Sequence, residues 1–230
     1  MKINAILFDK DGTLFDFNAT WGGWTRGLLE GESGGDTVLM AALADVLGYD
    51  LRTGLFRPDS IVIAHTTSDV ADVILPLLSP QSKADLISRM NAKAALAPQA
   101  EAAPLIPFLS GLVARGLRLG VATNDAEAPA RAHLDAAGIS EKFDFIAGFD
   151  SGFGAKPAAG QLLAFCDHIG LPPTQCAMVG DSLHDLHAGR AAGMVTVGVL
   201  TGLATRAELA PSADIVMGSI ADIPAWLDSS

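Results

Sequence analysis

A doubly wound α/β domain with a helical insertion is the fold this sequence predicts, and three observations predict it. Short, nearly continuous apolar runs recur along the chain and stop abruptly at turn residues, as buried parallel strands do. From residue 105 onward these runs alternate with segments that close on glycine, as helices do. Between about residues 15 and 98 the alternation stops and only helical patterning remains.

Residues 3–8 (INAILF) form the first run and end in Asp9-Lys10-Asp11-Gly12-Thr13. The insertion comes next, with helices expected over 21–30, 37–47, 68–78 and 81–97. Glycine or proline marks loops at 31–35 and 55–58, and Pro98, Pro104 and Pro107 mark the return to the core. A helix over 105–115 is closed by Gly116, and a strand over 117–122 stops at Thr123-Asn124-Asp125. The helix over 126–137 then has Asn124 or Asp125 as its cap and Gly138 beyond its end. A weaker strand covers 143–147. The helix over 157–169 carries Pro157 in its first turn and closes on Gly170. Strands at 176–179, 194–200 and 214–217 and helices at 183–192 and 220–227 complete the alternation. The expected domains are a core of residues 1–14 and 99–230 and a helical domain of residues 15–98.

Composition narrows the function. Half of the 230 residues are apolar and 18% are charged, the reverse of a disordered chain. The longest apolar stretch, 194–204, is 11 residues and is interrupted by Thr196, Gly198, Thr201 and Gly202. A membrane-spanning helix needs about 20, so no membrane partner is expected. The N-terminal run meets acid at Asp9 and does not read as a signal peptide. Acidic residues outnumber basic ones 26 to 15, for a net charge of −11, which disfavours nucleic acid. Two cysteines form no disulfide framework, so a cytoplasmic location is expected, with Cys166 and Cys176 as small core residues. Monomer and homodimer stay equally open.

Three strong runs end in polar residues: Asp9 and Asp11, Thr123 and Asn124, and Asp181. In an open parallel sheet these ends converge on one edge, where ligands bind. Asp9 and Asp11 bring two carboxylates to one point, a costly arrangement unless a cation or shared proton relieves it. Magnesium suits it, because it takes hard oxygen ligands and substrate phosphate. A carboxylate can also act as nucleophile toward phosphorus while its neighbour handles protons. The bland alternative is a strand-terminal turn, since turns favour Asp and Gly anyway. A calcium loop is excluded, because glycine falls at the fourth position rather than the sixth.

Thr123 and Asn124 can donate to phosphate oxygens, or Asn124 can simply cap. Lys156 can neutralise charge in phosphoryl transfer, or sit exposed at a helix start, which the helix dipole disfavours. Asp181 can complete a magnesium site. Ser182-x-x-Asp185 matches a capping box, so Asp185 divides between cap and metal support. His184 and His187 lack a third ligand for zinc. Trp21 and Trp24 read as core.

In combination, Asp9-Lys10-Asp11-Gly12-Thr13, Thr123 after a strand, Lys156-Pro157, and Gly180-Asp181-Ser182-Leu183-His184-Asp185 resemble the haloacid dehalogenase superfamily. The likeness is to its phosphatases with a helical cap, and within them to the phosphoglycolate phosphatases. It implies a Rossmann-like core and an inserted helical cap. It implies Asp9 as nucleophile, Asp11 as acid and base, and Thr123 and Lys156 as the phosphate-holding pair, with Asn124 assisting. It also implies Mg2+ held by Asp9, Asp11 (through its backbone carbonyl), Asp181 and Asp185. The substrate expected is a small phosphorylated metabolite.

Relatives that cleave carbon–halogen bonds lack the second aspartate, so Asp11 argues for phosphate. Phosphonate hydrolysis needs a Schiff-base lysine, and Lys83 and Lys93 have no supporting motif. A sugar phosphomutase remains an alternative, as does a phospho-receiver signalling module. A glycosyltransferase would not need Thr123 and Lys156. Arg26, Arg52 and Arg57 are candidates to meet a second anionic group of the substrate, or are solvated surface arginines.

Overall fold

The computed structural model describes residues 2–229. Its strands are β1 (Ala5–Phe8), β2 (Arg118–Ala122), β3 (Phe145–Ala147), β4 (Cys176–Gly180), β5 (Val195–Val199) and β6 (Ile215–Met217). They make one sheet in the order β3-β2-β1-β4-β5-β6, with every pairing parallel. Ile6 of β1 stands level with Leu119 of β2 on one side and Ala177 of β4 on the other. The chain steps outward from β1 to β3 and then returns past β1 to β4. The strand order therefore reverses between β1 and β4, at whose carboxyl ends a ligand crevice forms.

Why the strands read as unbroken apolar runs is visible in their two faces. Ile6 and Phe8 of β1 join Leu119, Val121, Ala177 and Val179 under helices α5 (Leu105–Ala114), α6 (Glu127–Ala136) and α10 (Ile223–Asp228). Ala5 and Leu7 turn the other way, with Met178, under α7 (Gly160–Ile169) and α8 (Leu183–Ala192). Both faces are largely dry, which leaves few strand positions for polar residues: Arg118 stands exposed at the start of β2, and Thr196 is buried in β5 with its hydroxyl bonded to Ser212 and Asp214. The expected α/β class and its parallel sheet are borne out.

The inserted helices are α1 (Phe17–Ser33), α2 (Thr37–Val46), α3 (Thr67–Ile74) and α4 (Lys83–Ala94). They enclose their own apolar cluster, which includes Trp21, Trp24, Leu28, Leu43, Leu47, Ile74, Leu86 and Met90. Trp21, Trp24 and Leu28 recur at helical spacing on the buried face of α1. Each such side chain contributes roughly 1.5–3 kcal/mol by leaving water. The chain enters and leaves this unit side by side: Asp16 N donates to the Ala100 carbonyl and Ala102 N to the Leu14 carbonyl, at 2.8 and 2.9 Å.

Several helix ends differ from expectation, each for a local reason. Helix α1 begins at Phe17 rather than 21, because Asp16 caps it by accepting from Ala19 N at 2.8 Å. Helix α7 begins at Gly160, so Pro157 stands outside it and Lys156 is not a helix-start residue. Helix α6 has Ala126 at its N-cap with no side-chain bond; Asn124 and Asp125 are engaged elsewhere and do not cap it. A short helix, α9 (Arg206–Leu209), was not expected, although its Thr205–Glu208 capping box is plain in the sequence.

Candidate active site

Asp9 follows β1, Thr123 follows β2 and Asp181 follows β4, so the sheet itself brings them to one edge. One carboxylate oxygen each of Asp9, Asp181 and Asp185 lies within 4.8 Å of the others, and all three residues are buried. Lys156 Nζ stands among them, donating to Asp9 Oδ1 and Asp185 Oδ1, both at 2.6 Å, and to the Ala122 carbonyl at 2.8 Å. Burial alone would strip the proton from this lysine. The Asp185 and Asp9 carboxylates overcome that and hold it charged.

One lysine does not balance three carboxylates. Burial, opposed by Lys156 and assisted by Asp185 and Asp11, pushes Asp9 up from 3.8 to about 7. Asp181 is raised well above its ordinary value by burial, then by Asp9 and Asp185. Its one side-chain donor is Thr13 Oγ1, at a long 3.4 Å. Hard oxygen donors and excess negative charge together fit a divalent cation such as magnesium, which Asp9, Asp181 and Asp185 could hold.

Asp185 is the helix cap its sequence position suggested, and its other oxygen faces the carboxylate cluster. Oδ2 accepts from Ser182 N and Oγ, at 3.0 and 2.7 Å, in a capping box that opens α8, while Oδ1 takes Lys156. Thr123 is buried and lines the cavity above the carboxylates, as does Asp11. Asn124 departs from the expected phosphate contact. Its amide nitrogen donates to the Ala64 and Lys156 carbonyls (2.8 and 2.9 Å), and its oxygen accepts from Lys156 N at 2.9 Å. Both amide protons are thus used in tying the loop of Lys156 to the inserted unit. Asp11 lies outside the carboxylate cluster; its side chain turns to Lys10 instead.

Lys10 is the residue the sequence reading passed over. It is fully buried, 2.7 Å from Asp11, 3.6 Å from Asp125 and 3.0 Å from His133 Nδ1, and its ammonium lies 5.5 Å from the Trp21 ring centre. A lysine only donates, so His133 Nδ1 accepts and its Nε2–H donates to the Ala94 carbonyl of α4 at 2.6 Å. Burial and Lys10 hold this imidazole neutral, with its pKa near 4. A signal was available: at a strand end, residue 10 points opposite to 9 and 11, so a lysine there must enter the protein and find acid. Lys10→Met is expected to lower stability by about 3 kcal/mol, because Asp11 and Asp125 lose their buried counter-ion. Urea unfolding measures it, and an unchanged midpoint would overturn this account.

Glycines make room for the acids. A Cβ on Gly12 or Gly202 would overlap the Asp181 carboxylate, and one on Gly180 would overlap Asp185. Gly12 also sits at φ +81°, which other residues avoid. Gly202 escaped the sequence reading, being far from any motif.

The cavity over these groups is walled by the inserted unit, chiefly Phe17, Trp21, Trp24, Val62, Ile63 and Val70. The cavity is open to solvent on one side. Arg26, Arg52 and Arg57 do not reach it. Arg26 donates to the Leu51 carbonyl, and Arg57 pairs with Asp45 and Asp59 at the surface. His184 packs edge-on against His65 with ring centres 5.4 Å apart, and His187 lies 3.3 Å from Ser212 Oγ, so neither is part of a metal cluster. Cys166 and Cys176 are buried free thiols.

The family model of the haloacid dehalogenase-like hydrolases matches residues 3–193. The chain belongs to that family. A phosphoglycolate phosphatase of Xanthomonas campestris is 30% identical over 199 residues, 86% of this chain and 83% of that protein. One from Rhodospirillum rubrum is 35% identical over 122 residues, 53% of this chain and 51%, about half, of the relative. The crystal structure of CbbY from Rhodobacter sphaeroides, in complex with phosphate, superposes with a TM-score of 0.69 at 25% identity, covering 98% of this chain and 99% of that one. The chain is accordingly a hydrolase with phosphatases among its relatives, and among the described residues no helix is long and apolar enough to cross a membrane.

Proposed function

We propose that this hydrolase is a magnesium-dependent phosphatase of small phosphorylated metabolites that carries the phosphoryl group on Asp9. The observation that carries the reading is the buried cluster of Asp9, Asp181 and Asp185 around one lysine, at the floor of a cavity open to solvent. An Asp9 oxygen attacks phosphorus and the ester P–O bond breaks. Asp11, beside the cavity, gives its proton to the leaving oxygen. Water then attacks phosphorus, Asp11 takes a proton back, and the Asp9–phosphorus bond breaks to release phosphate. Lys156 and Thr123 hold the phosphoryl oxygens, and Lys156 offsets the charge that builds on them. Magnesium, held by Asp9, Asp181 and Asp185 with the Asp11 backbone carbonyl, supplies charge neutralisation when bound. Residues 15–98 serve as a cap over the core of residues 1–14 and 99–230. 2-Phosphoglycolate, by analogy with the Xanthomonas relative's name, is one candidate substrate. The free cysteines suit a cytoplasmic enzyme.

Phosphate release from a panel of phosphomonoesters tests the reading. Turnover with magnesium and its loss in excess EDTA are expected; full activity in the chelator would overturn the metal assignment. A second expectation concerns pH. Asp9 binds its proton up to about 7 when folded but only to 3.8 when unfolded, so the metal-free protein loses stability as pH rises through that window. Magnesium binds the deprotonated cluster and restores it. Saturating magnesium should raise Tm by roughly 5–10 °C at pH 8 and by much less at pH 5. Equal shifts at both pH values would refute the linkage.

A further inference from the structure

We infer that the preferred substrate is a phosphomonoester whose alcohol is uncharged and aromatic or apolar, so that 2-phosphoglycolate, the candidate taken from the relative's name, is a poorer one. This inference rests on the phosphatase reading above and concerns only what lies beyond the phosphorus.

The phosphoryl end of a substrate is fixed by Lys156, Thr123 and the carboxylate cluster at the sheet edge. The leaving group must then point toward the cap wall. That wall presents the rings of Phe17, Trp21 and Trp24 and the aliphatic chains of Val62, Ile63 and Val70. Among the described residues, no lysine or arginine of the cap lines it. Five of the six cap cations are drawn elsewhere, Lys83 to Asp72, Lys93 to the Gly27 carbonyl, Arg89 to Glu32, Arg57 to Asp45 and Arg26 to the Leu51 carbonyl, and the sixth, Arg52, is exposed and does not line the cavity. Lys10, the nearest other cation, is sealed beneath Trp21 and already faces Asp11 and Asp125.

A carboxylate two atoms from phosphorus would therefore leave water for a wall made chiefly of apolar side chains, with acidic side chains behind it and no arginine or lysine of the cap beside it. That arrangement disfavours binding. An aryl or alkyl group meets the opposite conditions. Trp21 and Trp24 stand edge to face, with ring centres 5.0 Å apart, and Trp24 Nε1 is anchored on the Met90 carbonyl at 3.2 Å. Two indoles fixed in this way form a rigid aromatic surface that needs no ordering when a ring packs on it. The polar residues on the same cavity, His65, Thr67 and His184, lie around this wall as neighbours that can hydrogen-bond a neutral substituent.

The test compares kcat/KM, with magnesium, for benzyl phosphate, methyl phosphate and 2-phosphoglycolate. Benzyl alcohol and methanol are similarly acidic, so the first two differ mainly in what meets the wall. Benzyl phosphate is expected to exceed methyl phosphate by roughly 10- to 100-fold and to exceed 2-phosphoglycolate by about 10-fold or more. Trp21→Ala should shrink the benzyl-to-methyl ratio toward unity. Because that variant can also loosen the cap, Ile63→Arg provides an independent arm: a cation on the half-buried rim should move selectivity toward 2-phosphoglycolate. Equal rates for benzyl and methyl phosphate, or a wild-type preference for 2-phosphoglycolate, would overturn the inference and leave the phosphatase reading standing. No phosphate from any ester, with magnesium present, would sink both.

Discussion

Asp9→Asn is expected to lower turnover by on the order of 10⁴-fold or more, while the metal-free protein unfolds at the same temperature or higher. The two halves of this result have one cause. Asp9 supplies the oxygen that attacks phosphorus, and an amide in its place is a poor nucleophile. The same carboxylate is buried beside Asp185 and Asp11, and burial pushes its pKa to about 7. At pH 8 the wild-type chain must therefore carry a desolvated charge that the fold opposes. Asparagine keeps the shape and still accepts from Lys156, which stands 2.6 Å from Asp9 Oδ1. It also removes the charge, so metal-free stability at pH 8 should stay level or rise by roughly 1–3 kcal/mol. Phosphate release and thermal unfolding in EDTA measure the two halves. Turnover near the wild-type rate would remove Asp9 from its role, and a fall in Tm of many degrees would show that its charge is structurally required.

The contrast between reactive loss and structural tolerance fits the way this chain encodes its fold. The strands were legible because both sheet faces are largely dry, which leaves β1, β4 and β5 as apolar runs with abrupt polar ends. Helix ends were legible wherever glycine is required: Gly170 and Gly193 close α7 and α8 at φ 68° and 76°, where a side chain is strained. Asp9, Thr123 and Asp181 were found because each sits just beyond a strand whose position the pattern already gave away, and Lys156 because it precedes a proline in the loop after β3. What escaped depends on partners remote in sequence. Lys10 is explained by His133, 123 residues on, and Asn124 by Ala64, 60 residues back. Gly202 matters only because the loop after β5 presses on Asp181. Of the arginines of the insertion, Arg26 lies on α1 and Arg52 and Arg57 lie in the loop before α3, and nothing local in the sequence says whether any of them will face the cavity. Asp185 could not be read as a cap alone because its two oxygens do different work, one accepting from Ser182 and the other from Lys156.

Lys156→Ala is expected to reduce both stability and turnover, and magnesium should restore only the first. The ammonium is buried and bridges Asp9 and Asp185 at 2.6 Å, with Asp181 in the same cluster. Its removal leaves three buried carboxylates and no cation among them. Breaking a buried ion pair in this way costs about 3–5 kcal/mol, which for a chain of this size lowers Tm by roughly 6–20 °C. The shortfall should be greatest at high pH. With the lysine gone, the carboxylates hold their protons still more tightly in the folded state, and the pH-dependent loss of stability steepens. A divalent cation supplies the missing positive charge, so magnesium should raise the Tm of the variant more than that of the wild type. Turnover responds differently. Lys156 offsets charge on the phosphoryl oxygens from a fixed position, and losing one such preorganised donor lowers kcat by roughly 10²–10³-fold, a deficit that a cation bound at Asp181 does not repair. Lys156→Arg should rescue little, since the larger planar guanidinium does not fit a pocket closed by Ala122, Asp9 and Asp185. Melting curves with and without magnesium, set beside kcat at saturating magnesium, separate the two roles. If magnesium restored turnover together with Tm, Lys156 would be a structural counter-ion alone.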